Sequence, residues 1–189
     1  MALRDLGPAE KELTTERLVL EPLRAGHAAE VFGPLQEAEL HRFIPREPPV
    51  SLAALEARHR KLASRASPDG SETWLNWVGR FEGECVALFE ATLFSDRRAH
   101  LAYTVFSKHA RRGFGREGCA RVIESLRDDW GATLVVAEID TRNVASVRLV
   151  ESLGFVRRGL RRDADFFKGA TSDEYRYERP IGAVRADAR

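Results

Sequence analysis

Residues 99–155 read AHLAYTVFSKHARRGFGREGCARVIESLRDDWGATLVVAEIDTRNVASVRLVESLGF, and they fix the architecture. The opening octet, AHLAYTVF, alternates like a strand and runs into a basic loop, SKHARR. A helix is expected from about Gly115 to Trp130, with Cys119, Val122, Ile123, Leu126 and Trp130 at helical spacing. TLVVAEI is short and continuously apolar, the pattern of a strand buried on both faces. A further helix covers Val144 to Leu153 and stops at Gly154, a residue suited to a left-handed C-terminal position. Strand, helix and strand in this order imply a mixed sheet with helices packed on its faces.

Upstream, RLVLEPL reads as a first strand ended by Pro22. A helical stretch from Ala28 to Leu40 is interrupted by Gly33-Pro34, and the proline-rich IPREPPV is loop. Ser51 is placed as the N-cap of a second helix, with Leu52, Leu55, His59 and Leu62 along one side. TWLNWVGRF and ECVALFEATLF form a hairpin at Glu82-Gly83, and Ser95 to Arg98 makes the next turn. Downstream, alternation returns at Phe155 to Leu160 and Asp173 to Pro180. The expected class is α+β: a mixed, mostly antiparallel twisted sheet of six to seven strands with helices on both faces. Residues 1–12 are expected to be flexible, 13–182 to form a single domain, and 183–189 to be a C-terminal tail.

Length and composition bound the function. The 189 residues suffice for one core, and 43% apolar with 31% charged residues excludes wholesale disorder. Thirty basic against twenty-nine acidic residues argue against a nucleic-acid coat or a polybasic membrane anchor. No apolar run approaches the ~20 residues that span a bilayer, and MALRDLGPAEKEL lacks a signal-peptide core, so a cytoplasmic location is expected. Two cysteines, Cys85 and Cys119, make neither a disulfide framework nor a four-ligand zinc site, and no metal is expected.

Gly113-Phe114-Gly115-Arg116-Glu117-Gly118 satisfies G-x-G-x-x-G, with Glu138 and Asp140 about twenty residues further on. A dinucleotide fold, however, puts its first glycine directly after the first strand. Here Ser107 to Arg112 intervene, and too few strands remain for two wound halves. What survives is an anion site: glycines at a helix start admit a ligand to backbone N–H groups. Arg111, Arg112 and Arg116 suit more than one phosphate. Taken alone, the segment is equally well explained as a plain turn with a solvated basic edge.

Ile139 to Phe155, IDTRNVASVRLVESLGF, together with ARRGFG at Ala110 to Gly115, resembles the GCN5-related N-acetyltransferase superfamily. Within it the chain looks most like the RimJ/RimL branch, which acetylates the N-termini of ribosomal proteins. The likeness runs from about Leu13 to Ile181 and includes TERLVLEPL. It implies a splay between two central parallel strands, AHLAYTVF and TLVVAEI, that admits acetyl-coenzyme A (acetyl-CoA) as co-substrate, its amides satisfying the unpaired strand edge. By the same resemblance the diphosphate rests on Arg111, Arg112, Gly113, Phe114, Gly115 and Arg116, and Thr104 and Val105 supply oxyanion donors. Asn143 holds the cofactor arm or caps its helix. Ser146 stands near the coenzyme sulfur and stabilises or protonates the thiolate, or is a helical serine bonded to its own backbone. The tyrosine that many members carry in this helix is replaced by Val150.

For the general base, Asp165 in RDADFFKG comes first, since the branch carries a Glu in a comparable context. His100 has a reference pKa of about 6.5 suited to the task. Glu90 and Tyr103 are further candidates. Tyr175 and Tyr177 are expected on opposite sides of their strand, one in the core and one at the acceptor groove. No Cys-His pairing suggests an acyl-enzyme, so the expected chemistry is direct attack by a primary amine, of a protein N-terminus or a small molecule, in a ternary complex. The alternative is a catalytically inactive acyl-CoA sensor or protein-interaction module of the same fold. Monomer and homodimer are both open.

Overall fold

The computed structural model describes residues 7–182; residues 1–6 of the expected flexible N-terminus and the whole expected C-terminal tail, 183–189, lie outside the described residues. Its centre is the hairpin of β3 (Glu72–Phe81) and β4 (Glu84–Phe94). Glu82 (φ 51°) and Gly83 (φ 81°) both take left-handed conformations, the geometry whose twist suits a two-residue hairpin loop. Around it lie β1 (Leu13–Thr14), β2 (Val19–Pro22), β5 (Arg98–Val105), β6 (Leu134–Asp140), β7 (Val156–Phe167) and β8 (Ala170–Pro180). The sheet order is β1-β2-β3-β4-β5-β6-β8-β7, antiparallel throughout except for the β5–β6 pair. The eighth strand is the two-residue β1, too short to carry a period.

Alternate residues of β4 divide the core. Ala87, Phe89 and Ala91 pack under α3 (Phe114–Asp128) and α4 (Val144–Ser152), while Leu88 packs under α1 (Ala28–Val31) and α2 (Leu52–Leu62). Ser51 caps α2, its Oγ accepting from the Ala54 N–H at 3.1 Å. Gly154 (φ 82°) ends α4, and Phe155 N–H donates back to the Val150 carbonyl. Gly118 lets α3 lie on the sheet: a Cβ there would come within 2.1 Å of the Phe89 ring. The third glycine of the dinucleotide look-alike therefore serves helix–sheet packing.

Three expectations change. The helix foreseen over 28–40 shrinks to α1 and single 3-10 turns, because Pro34 restarts the chain and Glu37 is extended (ψ 112°). The strand foreseen to end at Leu160 continues to Phe167, absorbing irregularities at Arg157/Gly159 and Arg161/Asp165 as bulges. Residues 7–12 are held in place: Ala9 is buried, and Glu10 pairs with Arg65 and Arg24.

Candidate active site

β5 and β6 pair over only three positions, Arg98–His100 against Leu134–Val136. Beyond them Leu101–Val105 and Ala137–Asp140 part. Phe106 N–H donates to the Val86 carbonyl at 3.0 Å, so antiparallel alternation commits the even positions of β5, Thr104 included, to β4. The odd positions, Tyr103 and Val105, turn their main-chain groups into the gap. Of the two expected oxyanion donors, Val105 thus presents its amide to the gap, whereas Thr104 presents its side chain to the opposite face.

The loop ahead of α3 bends through two left-handed residues, Arg111 (φ 60°) and Gly113 (φ 86°). The first helical bond runs from Glu117 N–H to the Gly113 carbonyl at 3.0 Å, leaving the amides of Gly113, Phe114, Gly115 and Arg116 without backbone acceptors among the described residues. Gly115 brings the helix start against β5 and α4; a Cβ would meet Leu149 Cδ1 at 2.9 Å and Val105 Cγ2 at 3.1 Å. The Phe114 side chain is buried between the guanidinia of Arg17 and Arg112, each 4.9 Å from its ring, so this residue offers only main chain. Arg17 also braces the loop, donating to the Arg112 carbonyl (3.1 Å) and to Glu117 (2.7 Å). Arg111, Arg112 and Arg116 are exposed beside the free amides.

On the far side of the gap, Asp140 is buried and accepts from the Arg142 amide and guanidinium, fixing the turn into α4. Burial pushes its pKa up, but these hydrogen bonds outweigh it and hold the carboxyl below its usual value. Asn143 caps α4, with Oδ1 accepting from the Ser146 N–H at 3.1 Å, and its amide nitrogen stays free for a second partner. Ser146 is half-buried and faces the hydroxyl of Tyr103, which is buried and makes no hydrogen bond of normal geometry. Burial drives the Tyr103 pKa well above the tyrosine range, with Ser146 the opposing influence. Val150 is fully buried.

The opposite face of the sheet carries a cavity of about 350 Å³, walled by α2, the 35–50 segment and β3–β5. Thr104 and Glu90 line its floor, and Arg46, Arg58 and His59 its wall. Glu90 lies opposite Ala102, beyond the last β5–β6 pair. Its carboxylate is 3.5 Å from Arg46 and 3.9 Å from Arg58. Burial first, then Arg46, lower the Arg58 pKa, while Glu90 opposes. Burial also lowers the His59 pKa to about 4, so its ring is neutral at pH 7. At the rim, Lys168 from the β7–β8 turn donates to the His41 carbonyl.

His100 and Asp165 share this face with Glu90 but do not line the cavity. Burial lowers the His100 pKa, against the pull of Glu138. Asp165 pairs with Ser172 and, after burial and Arg161, perturbs Glu174. Tyr175 and Tyr177 depart from expectation. Two residues apart, they point the same way, with rings 6.2 Å apart and edge-on, and both belong to the α3/α4 core. Arg46 and Arg58 escaped the sequence reading; the spacing of Leu55, Arg58, His59 and Leu62 on a Ser51-capped helix was the available signal. Neither thiol is poised to carry an acyl group: burial raises the Cys119 pKa strongly and that of Cys85 to about 12.

The model of the acetyltransferase (GNAT) domain matches residues 17–156. The chain belongs to the GNAT acetyltransferase family. The uncharacterized N-acetyltransferase YoaA of Bacillus subtilis (strain 168) is 25% identical over 165 residues, 85% of this chain and 92% of that protein. Among solved structures, the ribosomal L7/L12 α-N-protein acetyltransferase RimL, in complex with coenzyme A, superposes with a TM-score of 0.83 at 14% identity, over 92% of this chain and 99% of that one. Spermidine N-acetyltransferase from Vibrio cholerae, with coenzyme A and spermine, gives 0.75 at 20% identity, over 88% and 96%. These two likenesses are likenesses of fold. In this GNAT domain the parallel β5–β6 pair and the α3 loop lie inside the matched span, whereas Asp165 and the β7–β8 turn lie beyond it.

Proposed function

We propose that the protein is an acetyl-CoA-dependent N-acetyltransferase that modifies a primary amine, of a protein N-terminus or a small molecule, by direct attack in a ternary complex. The observation that carries this reading is the opening of β5 from β6 beside the free amides of Gly113 to Arg116. The residues fit the co-substrate: the glycine seat at Gly115 has no room for a side chain, and three exposed arginines border it. Coenzyme A in the RimL and spermidine acetyltransferase structures supports the same assignment. The likeness to the RimJ/RimL branch rests on the motif residues.

Acetyl-CoA supplies an acetyl group activated as a thioester. Arg111, Arg112, Arg116 and the helix-start amides hold its diphosphate, and the main-chain edge of Tyr103 and Val105 together with Asn143 Nδ2 holds its arm. The Val105 N–H stabilises the developing oxyanion. Ser146, backed by the Tyr103 hydroxyl, donates a proton to the departing thiolate. Glu90, the carboxylate on the cavity floor, meets the incoming ammonium first. Asp165, on the same face, takes up the proton beyond it through water, with His100, neutral at pH 7, as the alternative acceptor.

Calorimetry with acetyl-CoA, followed by a thiol-release assay on a panel of amines, tests this reading. Binding and turnover are expected; no heat with either acetyl-CoA or coenzyme A sinks it, and binding without turnover on any amine selects the inactive sensor. Glu90→Gln and Asp165→Asn are each expected to lower kcat at least about tenfold, with acetyl-CoA affinity within roughly twofold of wild type. Unchanged turnover in either variant removes that residue from the mechanism.

A further inference from the structure

We infer that the acceptor cavity is built for an apolar α-amino acid, bound by its carboxylate as well as its amine. The inference rests on the transferase reading above and narrows its substrate class.

The Glu90 carboxylate is shared between two guanidinia at 3.5 Å and 3.9 Å, both longer than the ~2.8 Å of a charge-assisted hydrogen bond. Neither the Arg46 nor the Arg58 guanidinium donates a hydrogen bond to any described residue beyond its ion pair with Glu90, so two forks of planar donors converge on one cavity. Glu47 also borders the cavity but is exposed and pairs with neither arginine. Arg58 is half-buried and Arg46 exposed; a half-buried guanidinium calls for an anion, and the planar fork matches a carboxylate.

The position of Glu90 within 4 Å of both cations fixes the spacing of the ligand's charges. A cation facing Glu90 and an anion facing Arg46 and Arg58 must lie only a few ångströms apart. An α-amino acid meets that condition; a polyamine lacks the anion, and a peptide N-terminus has an amide there. The rest of the wall is apolar, with Leu35, Leu40, Ile44 and Leu55 among its residues, which suits a side chain such as that of leucine or methionine. His59 adds a polar anchor: its Nδ1 is buried without a hydrogen-bond partner, on a ring that lines the same cavity. Thr104 connects the cavity floor to the strand whose Val105 amide faces the gap, which brings the ligand's amine toward the thioester side.

The test compares L-leucine with leucinamide, isopentylamine, spermidine and a Leu-initiated peptide in the thiol-release assay, with calorimetry of L-leucine in parallel. L-Leucine is expected to exceed each carboxylate-free amine by on the order of 100-fold in kcat/KM. Arg58→Gln is expected to reduce that preference to tenfold or less while leaving acetyl-CoA affinity unchanged. Equal or faster acetylation of leucinamide, isopentylamine, the peptide or spermidine overturns the inference and leaves the transferase reading standing. Heat with L-leucine that Arg58→Gln abolishes, without turnover on any amine, keeps the carboxylate site and sinks the transferase reading. Neither heat nor turnover overturns both.

Discussion

The two faces of the sheet are built differently. Under α3 and α4 the contacts are close: a Cβ at Gly118 would come within 2.1 Å of the Phe89 ring, and one at Gly115 within 2.9 Å of Leu149 and 3.1 Å of Val105. Under α1 and α2 the chain is broken into short turns and encloses a cavity edged by arginines, a glutamate and a histidine without a full set of partners. The first face presents main-chain amides at the α3 start, set in place by close packing. The second presents side chains, which can be exchanged without moving the sheet.

The sharpest way to break the contrast is at Gly115. Gly115→Val drives a branched side chain into Leu149 and Val105, and calorimetry should show acetyl-CoA affinity falling on the order of 100-fold. An unchanged Kd would mean that the α3 start does not hold the co-substrate. Gly118→Ala tests packing on the same face without touching the loop. It should cost about 1–3 kcal/mol in denaturant unfolding, because the Phe89 ring must move.

On the other face the expected effects are smaller and depend on pH. The folded-state pKa of His59, about 4, lies below its unfolded value near 6.5. Acid therefore protonates the unfolded chain first. The stabilising contribution is complete above pH 6.5 and is lost as pH falls toward 4. A Tm series over that window should fall less steeply in His59→Leu than in wild type; parallel curves would show that His59 titrates normally. Smallest of all is Lys168→Ala, which frees the β7–β8 turn from His41. It should raise the acceptor KM a few-fold and change stability by no more than about 0.5 kcal/mol.

How much of this was legible before the structure follows the same division. The α3 loop, the crossover and α4 are contiguous in sequence, and their glycines, caps and periodicity act over a few residues. ARRGFG, Asn143 and Gly154 could therefore be placed from local rules. Tyr175 and Tyr177 were misplaced, although the two-residue period of a strand already puts them on one side. The shrinkage of the 28–40 helix had a local cause in Pro34, but how short the remaining α1 would be depended on the packing around it.

The cavity under α2 belongs to the other category. Arg46 comes from a loop, Arg58 and His59 from α2, Glu90 from β4 and Thr104 from β5, and no local pattern ties them together. By itself the amino-acid order determined the elements, the crossover and the glycine-rich start of α3, because hydrogen bonding and steric preference act between near neighbours. Only the tertiary structure decided where β5 leaves β6, which amides face the opening and which charges share one cavity. Those are consequences of strand register and of burial, which bring together groups that the chain keeps far apart.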